Sequence, residues 1–334
     1  MTSAHAVMVL QLLGGLVYLL VAGDLLVRGA VALAKRAQIH PLVVGLTIVG
    51  FGTSAPELFV SLGSVLRGHS DVAIGNVVGS NIANVLLVLG VPALIYPTIC
   101  DRQALRIDCL LVVMASAAFL WLCHQGPLGF AEGAVLFGAI VPILWRSARS
   151  GSTEDFGSAT AEQEHELERV LGLPRKVPMI GLFVVLGMAG LPLGAHLLVD
   201  GAVQLAIAFH VSSALVGLTV IAIGTSLPEL ATTLVAALHR SSDVALGNVV
   251  GSNLFNLLAI MGIAAMAAPA GVAIPPSFLS FDLLVMFASA LVLAYFALMR
   301  GSIGRLSGAG LIAAYLVYLT VLFQDAGPLA AAAR

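Results

Sequence analysis

Charged residues are scarce in this sequence. Asp, Glu, Lys and Arg make up only 10% of the 334 residues, whereas 60% are hydrophobic. A soluble domain carries about a quarter charged residues, so this composition excludes an ordinary water-soluble fold. The apolar runs repeatedly reach the roughly 20 residues that a helix needs to cross a bilayer. A transmembrane β-barrel would instead show short alternating segments, and we therefore expect an all-α membrane protein.

Cysteine and clustered basic residues are also scarce. The three cysteines, Cys100, Cys109 and Cys123, lie at or near apolar segments without the spacing of metal ligands, which favours a role in hydrophobic packing. With a net charge of -2 and no basic cluster, the sequence gives no indication of nucleic-acid binding. The first apolar segment begins near Ala6, has no basic region before it and is too long for a cleavable signal peptide.

One long polar stretch, from Ser147 to Lys176, divides the chain. It carries six acidic residues, and we interpret residues 147–177 as a connecting loop between a first half at 1–146 and a second half at 178–334. Pro, Gly and charged residues separate five apolar segments in each half. The ten predicted membrane spans lie near residues 6–33, 42–66, 72–96, 105–123, 128–146, 178–207, 213–238, 244–268, 278–299 and 304–323.

The second half repeats the first. The segment 45–90 aligns with 217–262 without a gap, and roughly half of the aligned positions are identical, which marks an internal repeat. The offset is constant: for the paired Glu57 and Glu229, 229 minus 57 gives 172. Because each half has an odd number of spans, the two five-helix repeats must be inverted relative to each other, a design found in secondary transporters.

The basic residues predict the orientation in the membrane. They concentrate on one side if the N-terminus is placed outside, as the positive-inside rule requires of the cytoplasmic side. Both termini are then outside, the 147–177 loop is cytoplasmic, and we expect a multi-pass protein of the plasma (cell inner) membrane. Only Arg67 and Arg334 remain outside, and Arg28 lies within the first span. The inner side collects Lys35, Arg36, Arg102, Arg106, Arg146, Arg149, Arg169, Arg175, Lys176, Arg240, Arg300 and Arg305.

Each repeat carries one carboxylate inside an apolar segment, at the end of the motifs GTSAPE (52–57) and GTSLPE (224–229). Burying an ionisable group in a membrane is costly, so such residues are candidates for a functional site. Pro56 and Pro228 should break the helix and free backbone carbonyl oxygens just before them. The threonine and glutamate of each motif are four residues apart and should share a helix face.

Together these motifs offer carboxylates, hydroxyls and free carbonyl oxygens. Hard cations prefer such ligands, and Ca²⁺ takes about 6–8 oxygens. Glu57 and Glu229 would also neutralise one divalent ion. The motifs hold no thiolates or paired imidazoles for a softer metal. The structural alternative is a mutually satisfied pair of buried carboxyl groups without a ligand.

The next span of each repeat contains the sequence GNVVGSN. Its serine lies four residues before an asparagine, Ser80 before Asn84 and Ser252 before Asn256, so each pair should share a helix face. These hydroxyls and amides can coordinate a cation or hold the glutamates. Small and polar residues also join membrane helices without any ligand, so the two serines could equally be packing contacts.

Other polar residues suggest structural roles. Asp71 and Asp243 follow a serine at the start of a span, which favours helix capping. Asp24 and Arg28 are four residues apart and predict an ion pair within the first span. The repeat does not copy this acid–base pair. We expect His196, the counterpart of Asp24, to be a buried, hydrogen-bonded histidine.

The paired GTS-x-PE and GNVVGSN motifs resemble the two alpha repeats of the sodium/calcium exchangers, in the cation/calcium exchanger superfamily. The resemblance covers both halves and their spacing. It implies a prokaryotic-type antiporter, not an enzyme, that exchanges Na⁺ for Ca²⁺ by alternating access. In that cycle the first and sixth spans slide past a core that holds the ions.

The resemblance also implies the ligands and partners. The transported ions are Na⁺ and Ca²⁺, no cofactor is needed, and the protein works as a monomer in the lipid bilayer. Glu57 and Glu229 are the central ligands. Further oxygens come from the side chains of Thr53, Ser54, Thr225 and Ser226 and from the backbone of Gly50 and Ala222, while Ser80, Asn84 and Ser252 line the same site.

One position departs from the family pattern. Many sodium/calcium exchangers have an aspartate where this chain has Asn256, so the site should contain two carboxylates and a neutral amide oxygen at this point. Exchange of protons for calcium, known in the same superfamily, therefore stays open as the alternative. Against it, both GTS-x-PE motifs retain the Thr-Ser pair that proton/calcium exchangers usually replace.

Two function classes other than antiport are compatible with a membrane protein. An intramembrane hydrolase could use Ser54 or Ser226 with His196, but it needs a nucleophile–base pair, and neither motif contains a histidine. A passive cation channel usually surrounds an axis with like subunits, whereas inverted repeats within one chain suit alternating access. Both classes are less favoured than exchange.

The predicted orientation can be tested by cysteine labelling. Ser158→Cys, in a background that lacks the three native cysteines, should resist membrane-impermeant thiol reagents added to intact cells, because the 147–177 loop is cytoplasmic. The same reagents should label Ser158→Cys once the membrane is permeabilised. Labelling in intact cells would contradict the orientation.

Overall fold

The computed structural model of the chain describes residues 3–99, 102–150, 172–208 and 224–332. Within these ranges the protein is helical, with eight helices long and apolar enough to cross a membrane, or nine if one bent pair counts as a span. In chain order the helices are α1 Ser3–Ala37, α2 Pro41–Thr53, α3 Ala55–Leu66, α4 Ser70–Ile95, α5 Arg102–Gln125, α6 Phe130–Ser150, α7 Val177–Ala208, α8 Leu227–Leu238, α9 Ser242–Ala267, α10 Phe278–Arg300 and α11 Arg305–Ala332.

Most of the predicted spans correspond to these helices to within a few residues, but α11 continues nine residues beyond the predicted end at 323. The span predicted at 72–96 is α4, and the span predicted at 178–207 is α7. The seventh span, predicted at 213–238, is described only from residue 224 onward and contains α8, which alone is too short to cross a bilayer. Most of the predicted 147–177 loop lies outside the described residues.

The second predicted span is broken beside its proline. Helix α2 ends at Thr53 and α3 begins at Ala55, with a bend of 44° between them. Pro56 lies in the first turn of α3, where its missing N–H removes no helical hydrogen bond. Pro228 has the same place in α8. Because the break separates Thr53 from Glu57, these two residues lie on consecutive helical segments rather than on one unbroken face.

Some helices widen into π-helical turns that the sequence pattern did not indicate. Two of these turns occupy matching places in the repeats, Asn84–Val88 in α4 and Phe255–Ile260 in α9. The second turn contains Asn256, the counterpart of Asn84. Single π-helical turns inside α-helices are frequent at functional sites, and both of these turns begin beside predicted ligands.

Helices α4 and α9 form the centre of the bundle. Of their most apolar stretches, 72% and 89% are buried, compared with 22% for α6 and α11. Both central helices carry the GNVVGSN motif. A smaller hydrophobic cluster joins α1, α7 and α8 and also includes residues of α2 and the start of α9. Helices α1 and α7 pack along each other beside the central pair.

Short backbone contacts join the ends of several helices. Strands β1, Thr98–Ile99, and β2, Ser302–Ile303, pair in an antiparallel ladder. Leu128 and Val272 form a second antiparallel contact, with N–H···O distances of 3.0 and 2.8 Å. These contacts are small additions to a fold that is otherwise helical in its described part.

The structure confirms one predicted ion pair and corrects two other expectations. Arg28 Nε lies 2.8 Å from Asp24 Oδ2, as predicted, and His239 Nε2 joins the same carboxylate at 2.6 Å. The expectation of a buried His196 was wrong, because this side chain is 74% exposed. Its Nε2 lies 3.4 Å from Asp200, so the repeat does copy an i,i+4 acid–base pair. Helix α7 buries only part of its surface, and His196 lies on the uncovered part.

The capping prediction for the two aspartates was also wrong. Helices α4 and α9 begin at Ser70 and Ser242, one residue before each aspartate. Asp71 and Asp243 therefore lie inside the first turn rather than at the capping position. Their negative charge still favours the positive end of the helix dipole there.

The crossing of α9 over α2 predicts unequal effects of equivalent substitutions. A Cβ at Gly251 would lie 2.2 Å from the backbone oxygen of Leu46, whereas a Cβ at its counterpart Gly79 would meet nothing within 4 Å. Gly251→Ala should lower the free energy of unfolding by about 1–3 kcal/mol, as overpacking does. The free energy of unfolding of Gly79→Ala should equal or exceed that of the wild type, because alanine stabilises a helix relative to glycine. Thermal unfolding of the purified variants measures this, and equal melting temperatures would contradict the close crossing.

Candidate cation-binding site

The two broken helices bring the two predicted carboxylates into one buried region. Glu57 and Glu229 lie in the first turns of α3 and α8. Both side chains are 0% exposed. Two like charges in a low-dielectric interior repel strongly, and a bound cation or a proton would relieve this repulsion.

Serine hydroxyls donate to both carboxylates. Ser54 Oγ lies 3.2 Å from Glu229 Oε1, which is a contact between the two repeats. Ser80 Oγ lies 3.5 Å from Glu57 Oε1, a long contact between α4 and α3 within the first repeat. Ser252 Oγ lies 3.3 Å from Thr53 Oγ1 and joins the second repeat to the first again. Four of the hydroxyls predicted as ligands therefore lie in one hydrogen-bonded cluster around the glutamates.

Several oxygens in this region are buried and accept no hydrogen bond within the described part of the chain. Buried polar atoms are normally paired, and an unpaired one costs about 1–3 kcal/mol. A cation that binds these oxygens would remove that cost. The unpaired oxygens are Glu57 Oε2, Glu229 Oε2, Asn84 Oδ1, Asn256 Oδ1 and Ser226 Oγ.

The remaining predicted ligands have different positions. The backbone oxygen of Gly50 accepts from Ser252 at 3.5 Å and lies 3.4 Å from the Thr53 hydroxyl, so it belongs to the same cluster. Thr225 is half-buried, and no hydrogen bond joins it to the other predicted ligands within the described ranges. Ala222 lies outside the described residues.

The first asparagine of each GNVVGSN motif holds a glutamate, one of the two roles that sequence analysis left open for the amides of this motif. Asn76 Nδ2 donates to the backbone oxygen of Glu57 at 3.1 Å and to Ser61 Oγ at 2.9 Å. Asn248 Nδ2 makes the equivalent contacts in the second repeat, to the carbonyl of the other glutamate at 3.4 Å and to Thr233 Oγ1 at 3.0 Å. The sequence feature that could have indicated these contacts is a hydroxyl residue four positions after each glutamate. These contacts hold in place the first turns of α3 and α8, which carry the two carboxylates.

Asn253, the last asparagine of the second GNVVGSN motif, lies at the crossing of the two central helices, where it contacts Asn84 rather than a glutamate. Asn84 Nδ2 donates to Asn253 Oδ1 at 3.1 Å. This bond fixes which end of the Asn84 amide points to α9, and it leaves Asn84 Oδ1 unpaired. Asn253 belongs to the GNVVGSN motif, so the sequence shows an asparagine at this place in both repeats. The sequence does not show the contact with Asn84.

A cavity of about 720 Å³ reaches the site beside Ser54. Most of its lining is apolar and comes from α2, α6, α7 and α9, including Phe51, Phe137, Met188 and Phe255. Such a lining supplies almost no oxygen ligands for an ion. The space lies mainly between α2, α3, α6 and α9, and α7 contributes only Met188 to its lining.

The donor set of the site is oxygen from two acids and neutral groups. Within the described residues, no group of three or more His, Cys, Asp or Glu side chains comes together. A site for a soft or strongly chelated transition metal is thus not formed there. Carboxylate, hydroxyl, amide and carbonyl oxygens instead match hard cations.

A model of the sodium/calcium exchanger protein family matches residues 7–146 and 179–324 of the chain. The chain belongs to this sodium/calcium exchanger family. Members of the family are ion transporters rather than enzymes, and the membrane-crossing helices of this exchanger agree with that. The matched residues include every described side chain of the candidate site.

Curated relatives match the exchanger over nearly its whole length. The putative antiporter CaxA of Alkalimonas amylolytica is 39% identical over 317 residues, which cover 93% of this chain and 97% of the relative. The inner membrane protein YrbG of Escherichia coli (strain K12) is 35% identical, with 93% and 95% covered. The sodium/calcium exchanger MaX1 of Methanosarcina acetivorans is 31% identical, with 94% and 98% covered.

A solved structure shares the fold. The sodium-calcium exchanger NCX_Mj superposes with a TM-score of 0.80 at 27% sequence identity, and the match covers 95% of this chain and 99% of that one. The family assignment thus agrees with the three-dimensional arrangement of the helices.

The unpaired oxygens predict how the site affects stability. In a sodium-free buffer with a chelator, Glu57→Gln should raise the free energy of unfolding by roughly 1–3 kcal/mol, because it removes one of two repelling buried charges. Asp71→Asn, at an exposed position, should change it little. Thermal unfolding of the purified proteins measures both effects. A Glu57→Gln variant less stable than wild type in this buffer would show that the carboxylates satisfy each other.

Proposed function

We propose that the protein exchanges Na⁺ for Ca²⁺ across the membrane, with Glu57 and Glu229 as the central ligands of a site that binds either ion. The observation that carries this proposal is the set of buried, unpaired oxygens around two buried carboxylates. Hard cations bind such oxygens. The name of the relative MaX1, a sodium/calcium exchanger, supports these substrates.

The proposed ligand set contains more oxygens than one calcium ion needs, which is about 6–8. Overlapping subsets can then bind Ca²⁺ or Na⁺, so that occupancy by one excludes the other. No cofactor takes part. The ligands are the carboxylates of Glu57 and Glu229, the hydroxyls of Thr53, Ser54, Ser80, Thr225, Ser226 and Ser252, the amide oxygens of Asn84 and Asn256, and the carbonyls of Gly50 and Ala222.

The charge of the site sets the exchange ratio in this proposal. Two carboxylates balance one Ca²⁺ or two Na⁺. A third Na⁺ would leave an uncompensated charge in a buried site, which is strongly unfavourable. Asn256 contributes a neutral oxygen and takes up no proton near neutral pH. We therefore expect two sodium ions per calcium ion.

We further propose ten spans in two inverted five-helix halves. Helix α8 would complete the seventh span together with residues that precede it. A shift of 174, two more than the offset of 172 between the motifs, carries Thr98 onto Val272 (272 minus 98) and Leu128 onto Ser302 (302 minus 128). To within one residue, this shift relates the β1–β2 ladder to the Leu128–Val272 contact, as expected if the halves exchange places about a twofold axis.

A pair of buried acids supports the same symmetry. The same shift carries Asp108 onto Asp282, and both side chains are buried. Asp108 pairs with Arg146, which joins α5 to α6. Asp282 accepts from Tyr318 Oη at 2.9 Å, which joins α10 to α11. Each half thus ends in a helix pair held together by an acid near the start of its fourth span.

Alternating access would move α1 and α7 past the central helices. These two helices pack along each other and contribute to a hydrophobic cluster separate from the larger core. The contact of Asp24 with His239 at 2.6 Å ties α1 to the end of α8. In the proposed cycle this contact breaks when α1 slides.

The proposal also includes the location and the orientation of the protein. The exchanger is a multi-pass protein of the plasma membrane that works as a monomer in lipid, with both termini outside and the 147–177 loop cytoplasmic. The relative YrbG, named an inner membrane protein, supports this location. Proton/calcium exchange remains the alternative, since the carboxylates could take up protons in place of Na⁺.

Calcium flux into reconstituted vesicles tests the function. An imposed sodium gradient should drive calcium transport with the proton gradient collapsed, and Glu229→Gln should abolish it, because one charge cannot balance Ca²⁺. The variant's retained melting temperature in the same lipid serves as the folding control. Robust calcium flux under a proton gradient alone, with none under a sodium gradient, would contradict sodium coupling and favour the alternative.

A further inference from the structure

Asn248 is not one of the proposed ligands, but its side chain makes several polar contacts around the site. Its side chain is 0% exposed and contacts groups from both repeats. We propose that Asn248 is a positioning residue that accepts a hydrogen bond from the hydroxyl of Thr53 and so turns the lone pairs of this hydroxyl toward the transported cation. This inference rests on the proposed cation site, and it assigns a role to a residue outside the ligand set.

The orientation of the Asn248 amide is fixed by its own contacts. Its Nδ2 lies 3.4 Å from the backbone oxygen of Glu229 and 3.0 Å from Thr233 Oγ1. A carbonyl oxygen can only accept a hydrogen bond, so the NH₂ end of the amide must face α8. The amide oxygen is then on the opposite side, where it faces α2.

Thr53 is the group on that side. Its Oγ1 lies 3.0 Å from Asn248 Oδ1, 3.3 Å from Ser252 Oγ and 3.4 Å from the Gly50 oxygen. The hydroxyl has one proton to donate, and the Asn248 oxygen is the nearest acceptor. A hydroxyl binds a cation through its lone pairs, so its proton must point away from the ion. Donation to Asn248 achieves this orientation before the ion arrives, which lowers the ordering cost of binding.

The first repeat contains a natural control. Asn76 makes the same two contacts within its own repeat, to the Glu57 carbonyl and to Ser61. In the part of the chain that the structure describes, no hydrogen bond joins Asn76 to Thr225, the counterpart of Thr53. Asn76 and Asn248 thus share the structural contacts, and only Asn248 also accepts from a proposed ligand.

The experiment compares calcium binding to purified Asn248→Ala and Asn76→Ala by calorimetry, with melting temperatures measured in parallel. Loss of one hydrogen bond to a ligand should raise the calcium Kd of Asn248→Ala about threefold to tenfold. Asn76→Ala should stay within about twofold of wild type. Both variants should lose similar thermal stability. Equal Kd values for the two variants would overturn the positioning role.

A double-mutant cycle isolates the pair. If Asn248 acts through the Thr53 hydroxyl, Asn248→Ala should have little further effect on the calcium Kd in a Thr53→Val background. Additive effects would overturn the proposal, because independent groups add. If Asn248→Ala fails to fold, Thr233→Val removes one amide anchor at similar volume. It should raise the Kd about twofold, while Ser61→Ala should not.

The outcomes separate this inference from the proposed function. Absence of calcium binding by the wild-type protein, or unchanged binding by Glu229→Gln, would contradict the cation site itself. Normal wild-type binding together with wild-type affinity in Asn248→Ala would leave the site standing and remove only the positioning role.

Discussion

The structure depends on one electrostatic constraint, which is that two carboxyl groups lie in the interior of a membrane protein without an ion pair to any residue that the structure describes. Glu57 and Glu229 are fully buried, and each has an oxygen that accepts no hydrogen bond within the described part of the chain. Within the described residues the surrounding groups are neutral hydroxyls, amides and carbonyls. In the proposed function, a bound cation pairs with the unpaired oxygens, and the exchange of one cation for another keeps them paired.

Neither half of the chain can meet this constraint alone. Each repeat contributes one carboxylate, held at the start of a helix by an asparagine of the next span. The hydroxyl of Ser54 donates to the glutamate of the opposite repeat, and the hydroxyl of Thr53 contacts Asn248 and Ser252 there. The close crossing at Gly251 brings these groups within reach. The duplication is therefore a requirement of the site as well as a feature of the fold.

Much of the architecture could be predicted because it follows from local sequence. Apolar runs gave the spans, prolines gave the break after Thr53, and the constant offset paired the glutamates. Features that depend on tertiary contacts could not be predicted in this way. The exposure of His196 depends on how α7 packs, and the π-helical turns at Asn84 and Asn256 depend on neighbouring helices. The contact between Thr53 and Asn248 joins residues almost two hundred positions apart.

The central claim is that Na⁺ and Ca²⁺ compete for one site with two negative charges. Equilibrium calcium binding to the purified protein, titrated with sodium at constant pH and ionic strength, tests it most directly. We predict that sodium raises the apparent calcium Kd without changing the number of sites, with a Hill coefficient for sodium approaching two. Calcium binding that persists unchanged at saturating sodium would contradict the claim.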